Sequence, residues 1–149
     1  MRLRLPFTTA LAALAVSAVS LSPAFSAGVT KHSYAVNATG ARVTGGKGIM
    51  TAASAAGTIT VSSNGQVCYS IKTSGLTGIV EAHIHVGALG TDGADVVTIP
   101  IRGLNSKAKM APCVKTKTSV ANAILANPAG YYFNVHTSTF PEGAVRGQL

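Results

Sequence analysis

Short runs of alternating polar and apolar residues make up much of the chain after residue 30, and this pattern constrains the fold most strongly. Successive side chains of a β-strand point to opposite faces, so alternation predicts strands with one apolar and one polar face. Gly and Asn separate the runs, and helical periodicity is scarce. The sequence therefore predicts an all-β, antiparallel domain.

The alternating runs predict strands at residues 31–38, 58–62, 66–73, 80–86, 95–101, 131–137 and 144–149. Asn64-Gly65 is a strong hairpin signal, because both residue types tolerate positive φ. One short helix is predicted from Val120 to Ala126, capped by Ser119 and stopped by Pro128. Residues 103–117 are polar and basic, and we expect them to be irregular.

The N-terminus has the features of a secretory signal peptide. Arg2 and Arg4 precede an apolar run at 11–21, and small residues follow at 22–27. We predict a signal peptide at 1–26, one domain at 27–149, and a secreted or periplasmic protein with no membrane span after cleavage. An uncleaved membrane anchor is the alternative.

Basic residues outnumber acidic ones in the predicted domain, ten against four, for a formal charge of +6. Most of the basic residues are dispersed. A loose group, Lys107, Lys109, Lys115 and Lys117, has no aromatic residues among it. This pattern favours solvated loop lysines over a nucleic-acid site, so we do not expect a nucleic-acid partner.

Cys68 and Cys113 are the two cysteines of the chain. In an exported protein, a disulfide between them is the expected state. Two free thiols or two metal ligands are the alternatives, although neither a Cys-x-x-Cys nor a close Cys-His pair is present.

Three strands carry polar residues at matching parity. One face bears Glu81, His83 and His85 on the first strand, Tyr132, Asn134 and His136 on the second, and Ala144, Arg146 and Gln148 on the third. If these strands are neighbours, a polar patch forms on the outer side of the sheet. Its imidazoles suit Zn²⁺ or Cu²⁺, with a water in the open position.

We therefore predict His83, His85 and His136 as metal ligands, with Asn134, Arg146 and Glu81 as polar partners on the same face. The alternative is that the histidines and Asn134 hydrogen-bond loop backbone and brace the sheet. His32 has no partner visible in the sequence. No catalytic residues are predicted, because neither a Gly-x-Ser-x-Gly motif nor a credible carboxylate pair occurs.

Three stretches together resemble the CHRD (chordin-type) domain found in exported bacterial proteins. They are Ala82-His83-Ile84-His85-Val86-Gly87 with Gly90 and Gly93, the stretch 127–137, and the stretch 141–149. The resemblance implies a compact β-sandwich or barrel and no particular reaction. The cysteines fall where exported members often carry a pair. A weaker likeness to copper/zinc superoxide dismutase, an Ig-like sandwich, lacks several of that enzyme's metal ligands.

These features favour a non-enzymatic, exported binding module that holds a copper or zinc ion or another extracellular ligand. A metal-dependent redox enzyme of superoxide-dismutase type is the first alternative. A matrix or adhesion module is the second.

Overall fold

A computed structural model describes residues 28–105 and 107–149, and the predicted signal peptide lies outside these residues. The described residues form eight β-strands and one α-helix. In chain order they are β1 (Lys31–Thr39), β2 (Ser54–Ser62), β3 (Gln66–Ser74), β4 (Ile79–Val86), β5 (Asp95–Thr98), β6 (Cys113–Lys115), α1 (Thr118–Ala126), β7 (Tyr131–Thr137) and β8 (Val145–Gln148). Short 3-10 turns lie at Gly40–Arg42, Thr44–Gly46, Ile101–Gly103 and Pro128–Gly130.

All eight strands belong to one antiparallel sheet in the order β5-β4-β7-β8-β1-β2-β3-β6. The two edge strands, β5 and β6, approach each other. Just after β6, the Thr116 hydroxyl donates to the carbonyl oxygen of Val96 in β5 at 3.3 Å. The sheet is therefore a nearly closed barrel. This architecture confirms the all-β prediction with one helix.

The apolar face of every long strand points into the barrel. The fully buried side chains include Ile59, Val61, Val67, Ile71, Ile84, Phe133, Val135 and Val145. Helix α1 contacts β2 and buries Ala121 and Ile124. Burying a side chain of this size stabilises the fold by about 1.5–3 kcal/mol relative to exposure, so this interior dominates the stability.

The Asn-Gly hairpin joins β2 to β3 through residues 63–65. Gly65 has a φ of 84° and donates its N–H to Ser62 O, and the Asn64 side chain accepts from the Gln66 N–H. Asn64 does not adopt positive φ, because Asn105 is the one non-glycine residue with positive φ in the described chain. The hairpin is confirmed, as a three-residue loop with glycine in the left-handed region.

The structure differs from the prediction mainly at element ends. Strand β2 begins at Ser54 instead of residue 58, because pairing with β1 on one side and β3 on the other outweighs the low strand propensity of Ala55-Ala56-Gly57. Strand β5 ends at Thr98, before Pro100. Helix α1 begins at Thr118, and its N-cap is Lys117 with no side-chain cap instead of Ser119.

Strand β6 lies inside the segment that we expected to be irregular. It pairs with β3, and the register places Cys113 directly opposite Cys68. The two cysteines form a disulfide across this pair, with a sequence separation of 45. The predicted disulfide is confirmed, and it explains why so short a strand stays at the edge of the sheet.

Within residues 28–105 and 107–149, the helices lack the length and hydropathy that crossing a membrane requires.

Candidate metal centre

Strands β4, β7 and β8 are adjacent, and their register aligns the polar side chains in rows. The rows across these strands are His85–Tyr132–Gln148, His83–Asn134–Arg146 and Glu81–His136. The matching parity predicted from the sequence thus corresponds to one shared face of the sheet. Since the strand backbones are hydrogen-bonded on both sides, the side chains are held on a rigid base.

Three imidazoles meet on this face. The ring centroids of His83 and His85 are 5.5 Å apart, those of His83 and His136 5.3 Å, and those of His85 and His136 5.6 Å. One nitrogen from each ring lies within 4.8 Å of the others. They are the only group of three or more potential metal-ligating side chains in the described residues.

Each ring has one buried nitrogen without a hydrogen-bond partner. His83 Nδ1, His85 Nε2 and His136 Nε2 are buried and have no hydrogen-bond partner. The other nitrogen of two rings is used: His85 Nδ1 lies 3.0 Å from Gly93 O, and His136 Nδ1 lies 2.9 Å from Pro141 O. A carbonyl oxygen can only accept, so both Nδ1 atoms carry the proton and each neutral ring keeps a lone pair on Nε2.

The centre is less exposed than an outer-face patch would be. His83 and His85 are half-buried, whereas His136 is 7% exposed, Asn134 4% and Arg146 1%. The predicted polar face is therefore covered at these three residues. Loops at 40–46 and 87–94 contact Arg146, and the loop before β8 contacts His136 through Pro141 O. Strand periodicity carries no information about which loops fold over a face.

Arg146 fastens both covering loops. Its Nη1 donates to the Thr44 hydroxyl at 2.8 Å and to Thr91 O at 2.9 Å, and its Nη2 donates to Ala88 O at 2.7 Å. Asp92, on the same loop, lies 3.4 Å from Nη1. The two terminal nitrogens of the guanidinium are thus bonded locally, whereas its buried Nε has no hydrogen-bond partner. Arg146 acts on the centre by holding its cover.

Tyr132, which the sequence did not single out as functional, packs directly on the centre. Its ring stacks on His85, with centroids 4.9 Å apart and planes 6° from parallel. The guanidinium carbon of Arg146 lies 3.5 Å from the same ring centre. Its place in the His85 row was readable from strand parity, but the stacking was not.

Glu81 and Asn134, the other two predicted partners, and His32, the fourth histidine, lie outside the group of three rings. Glu81 is exposed, does not join the histidine cluster, and lines a surface groove together with His83, Thr98 and Arg102. Asn134 sits between His83 and Arg146, with its Oδ1 buried and unpartnered. His32 is exposed and contacts Tyr34, with centroids 4.8 Å apart.

Burial lowers the pKa of His85 below its ordinary value of 6.5. The hydrogen bond to Gly93 O opposes this shift, and the neighbouring His136 and His83 add to it. The environment therefore favours the neutral ring, which is the form that binds a metal ion.

The donor set fits a divalent transition metal. Nitrogens bound at about 2.0–2.1 Å around a tetrahedral ion are about 3.3 Å apart. One nitrogen of each ring lies within 4.8 Å of the others, so binding an ion would shorten these separations by at most about 1.5 Å. A histidine that binds a metal usually donates its other ring N–H to a carbonyl or carboxylate oxygen, as His85 and His136 do to Gly93 O and Pro141 O.

The family model of the CHRD domain matches residues 34–149. The chain belongs to the CHRD family. This match covers the whole barrel apart from the start of β1. A comparison with curated proteins and with solved structures found no match. The CHRD assignment confirms the resemblance seen in the sequence, and the likeness to superoxide dismutase stays an expectation.

Proposed function

We propose that this CHRD domain is an exported, non-enzymatic module that binds one Zn²⁺ or Cu²⁺ ion through His83, His85 and His136. Two observations support it: each of the three rings has a buried nitrogen without a hydrogen-bond partner, and one nitrogen of each ring lies within 4.8 Å of the others. Burying three polar atoms unpaired is costly, at about 1–3 kcal/mol each. A bound cation would satisfy all three at once.

Bracing and metal binding are compatible, because they use different nitrogens of the same ring. His85 and His136 brace the loops through Nδ1, and their Nε2 atoms remain available. His83 makes neither bracing bond. We therefore infer that bracing orients two of the ligands and that His83 completes the set.

The proposal of a role without catalysis rests on the family resemblance, which implies no particular reaction. Within the described residues no acidic side chain belongs to the ligand group itself, although Asp95 and Glu81 lie opposite His85 and His136 on neighbouring strands. Export is supported by the disulfide, which persists in oxidising compartments. The predicted signal peptide at 1–26 agrees with this location.

The test is calorimetric titration of the metal-free protein with Zn²⁺ and Cu²⁺ near neutral pH. We expect one ion per chain, with a Kd of about 1 μM or tighter. His83→Ala is the most informative variant, because it removes a ligand but no bracing bond, and it should weaken binding by more than about 100-fold. His32→Ala removes an exposed histidine outside the cluster and should leave the affinity unchanged.

Unchanged affinity in His83→Ala would contradict the proposed site. The Cu²⁺-loaded protein, freed of unbound Cu²⁺, should consume superoxide no faster than the metal-free protein. Faster consumption would replace the non-enzymatic part of the proposal with a redox activity.

A further inference from the structure

We propose that the outer face of β1, β2, β3 and β6 binds an acidic polysaccharide. This surface, which we name the hydroxyl face, consists of the outward-pointing side chains of those four strands. It lies on the half of the barrel that does not carry the histidines, so the proposal is independent of the metal centre.

The hydroxyl face is polar and regular. Register places Ser33 opposite Thr60 and Thr58 opposite Ser70, and the Ser33 and Thr60 hydroxyl oxygens are 2.7 Å apart. These side chains and Asn37 are exposed or half-exposed. The three nine-residue strands make the face about 26 Å long and about 10 Å wide, and the three-residue β6 widens it to about 14 Å at one end. A linear polymer can contact several rows of hydroxyls at once.

Strands β1, β2, β3 and β6 carry lysines and no carboxylates. The four acidic residues of the chain are Glu81, Asp92, Asp95 and Glu142, so β1, β2, β3 and β6 contain none. Lys31, Lys72 and Lys115 are exposed at outward positions of these strands. The segment before β6 runs along β3, where Tyr69 N–H donates to Pro112 O, and it carries the exposed Lys107 and Lys109.

This combination fits a chain of sugars that bear carboxylates or sulfates. Lysines pair with the anions, and hydroxyl and amide side chains exchange hydrogen bonds with the sugar hydroxyls. Single-stranded nucleic acid is recognised by stacking bases on exposed aromatic rings. The outward positions of the four strands carry no aromatic residue, so the face suits a polysaccharide better than a nucleic acid.

The test compares two variants that each remove two positive charges. Lys72→Gln/Lys115→Gln alters the hydroxyl face, and Arg42→Gln/Lys47→Gln alters exposed positions elsewhere. Binding to immobilised polygalacturonate is measured with EDTA present, and neutral dextran serves as the blank. We expect the first variant to bind about 10- to 30-fold more weakly and the second less than about threefold more weakly.

The second arm of the test introduces a carboxylate in the middle of the hydroxyl face. Thr58→Glu lies at an exposed position and should abolish binding to polygalacturonate without changing the unfolding midpoint by more than a few degrees. The proposal would be overturned if both charge variants weakened binding equally, if Thr58→Glu bound fully, or if the parent protein did not bind. Tighter binding to a single-stranded oligonucleotide than to polygalacturonate would also overturn it.

Discussion

The guanidinium carbon of Arg146 lies 3.5 Å from the centre of the Tyr132 ring. Tyr132 belongs to β7, between the strand of Arg146 and the strand of His85, and it also stacks on the His85 ring. The phenol ring therefore separates a buried cation from the imidazole cluster. A cation over an aromatic face is attracted by the ring quadrupole, so Arg146 and Tyr132 stabilise each other. This arrangement lets a positively charged residue lie close to a proposed cation site.

Replacing Arg146 should destabilise the fold strongly. Arg146→Met removes the hydrogen bonds to Thr44, Ala88 and Thr91 and the contact with Tyr132. We expect the free energy of unfolding in urea to fall by about 3 kcal/mol or more, since hydrogen bonds of charged groups are worth about 1.5–3 kcal/mol each. Arg42→Met, at an exposed position, should change it by less than about 0.5 kcal/mol. A loss below about 1 kcal/mol for Arg146→Met would show that the loops are held by other contacts.

A methyl group at position 143 should disturb the row that contains Asn134. Gly143 has a φ of 130°, and a Cβ there would lie 2.6 Å from Asn134 Nδ2. We expect Gly143→Ala to lower the free energy of unfolding by about 2 kcal/mol, because both the backbone conformation and the contact are unfavourable. Gly28→Ala, with nothing within 4 Å of the added atom, is the matched control. Equal stability of the two variants would contradict the tight approach seen at Asn134.

Much of the centre could be predicted because strand parity is a local property. A spacing of two residues places His83 and His85 on one face of a strand, and the same rule places Asn134 and Arg146 on the polar faces of their strands. The cover over that face could not be predicted, because it depends on which distant loops Arg146 binds. Strand β6 was not predicted either, because it too depends on contacts distant in sequence. Cys113–Lys115 is a strand only through its pairing with β3 and its disulfide.

Acid should destabilise the metal-free protein through His85. Burial lowers its pKa in the folded state, so the unfolded state binds more protons at and below about pH 6.5. The free energy of unfolding should therefore fall as the pH is lowered from about 7.5 to about 5. His85→Gln should show a smaller fall over this range, whereas His32→Gln should follow the parent protein. A His85→Gln profile parallel to the parent would show that this ring does not contribute.

Removing the disulfide should affect stability but not metal binding. In the chain-entropy model, a cross-link over a separation of 45 residues stabilises by about 4 kcal/mol. Cys68→Ser/Cys113→Ser should therefore lower the free energy of unfolding by up to that amount. Its Zn²⁺ affinity should match the parent at a temperature where both are folded, because β3 and β6 lie on the other half of the sheet. Weakened Zn²⁺ binding in the folded variant would mean that the two halves are coupled.

The most direct measurement of the central claim is anomalous X-ray diffraction at the zinc edge from crystals of the protein grown with Zn²⁺. The account predicts one strong anomalous peak, about 2.0–2.1 Å from His83 Nδ1, His85 Nε2 and His136 Nε2. A peak elsewhere, or no peak among these three rings at saturating Zn²⁺, would contradict it.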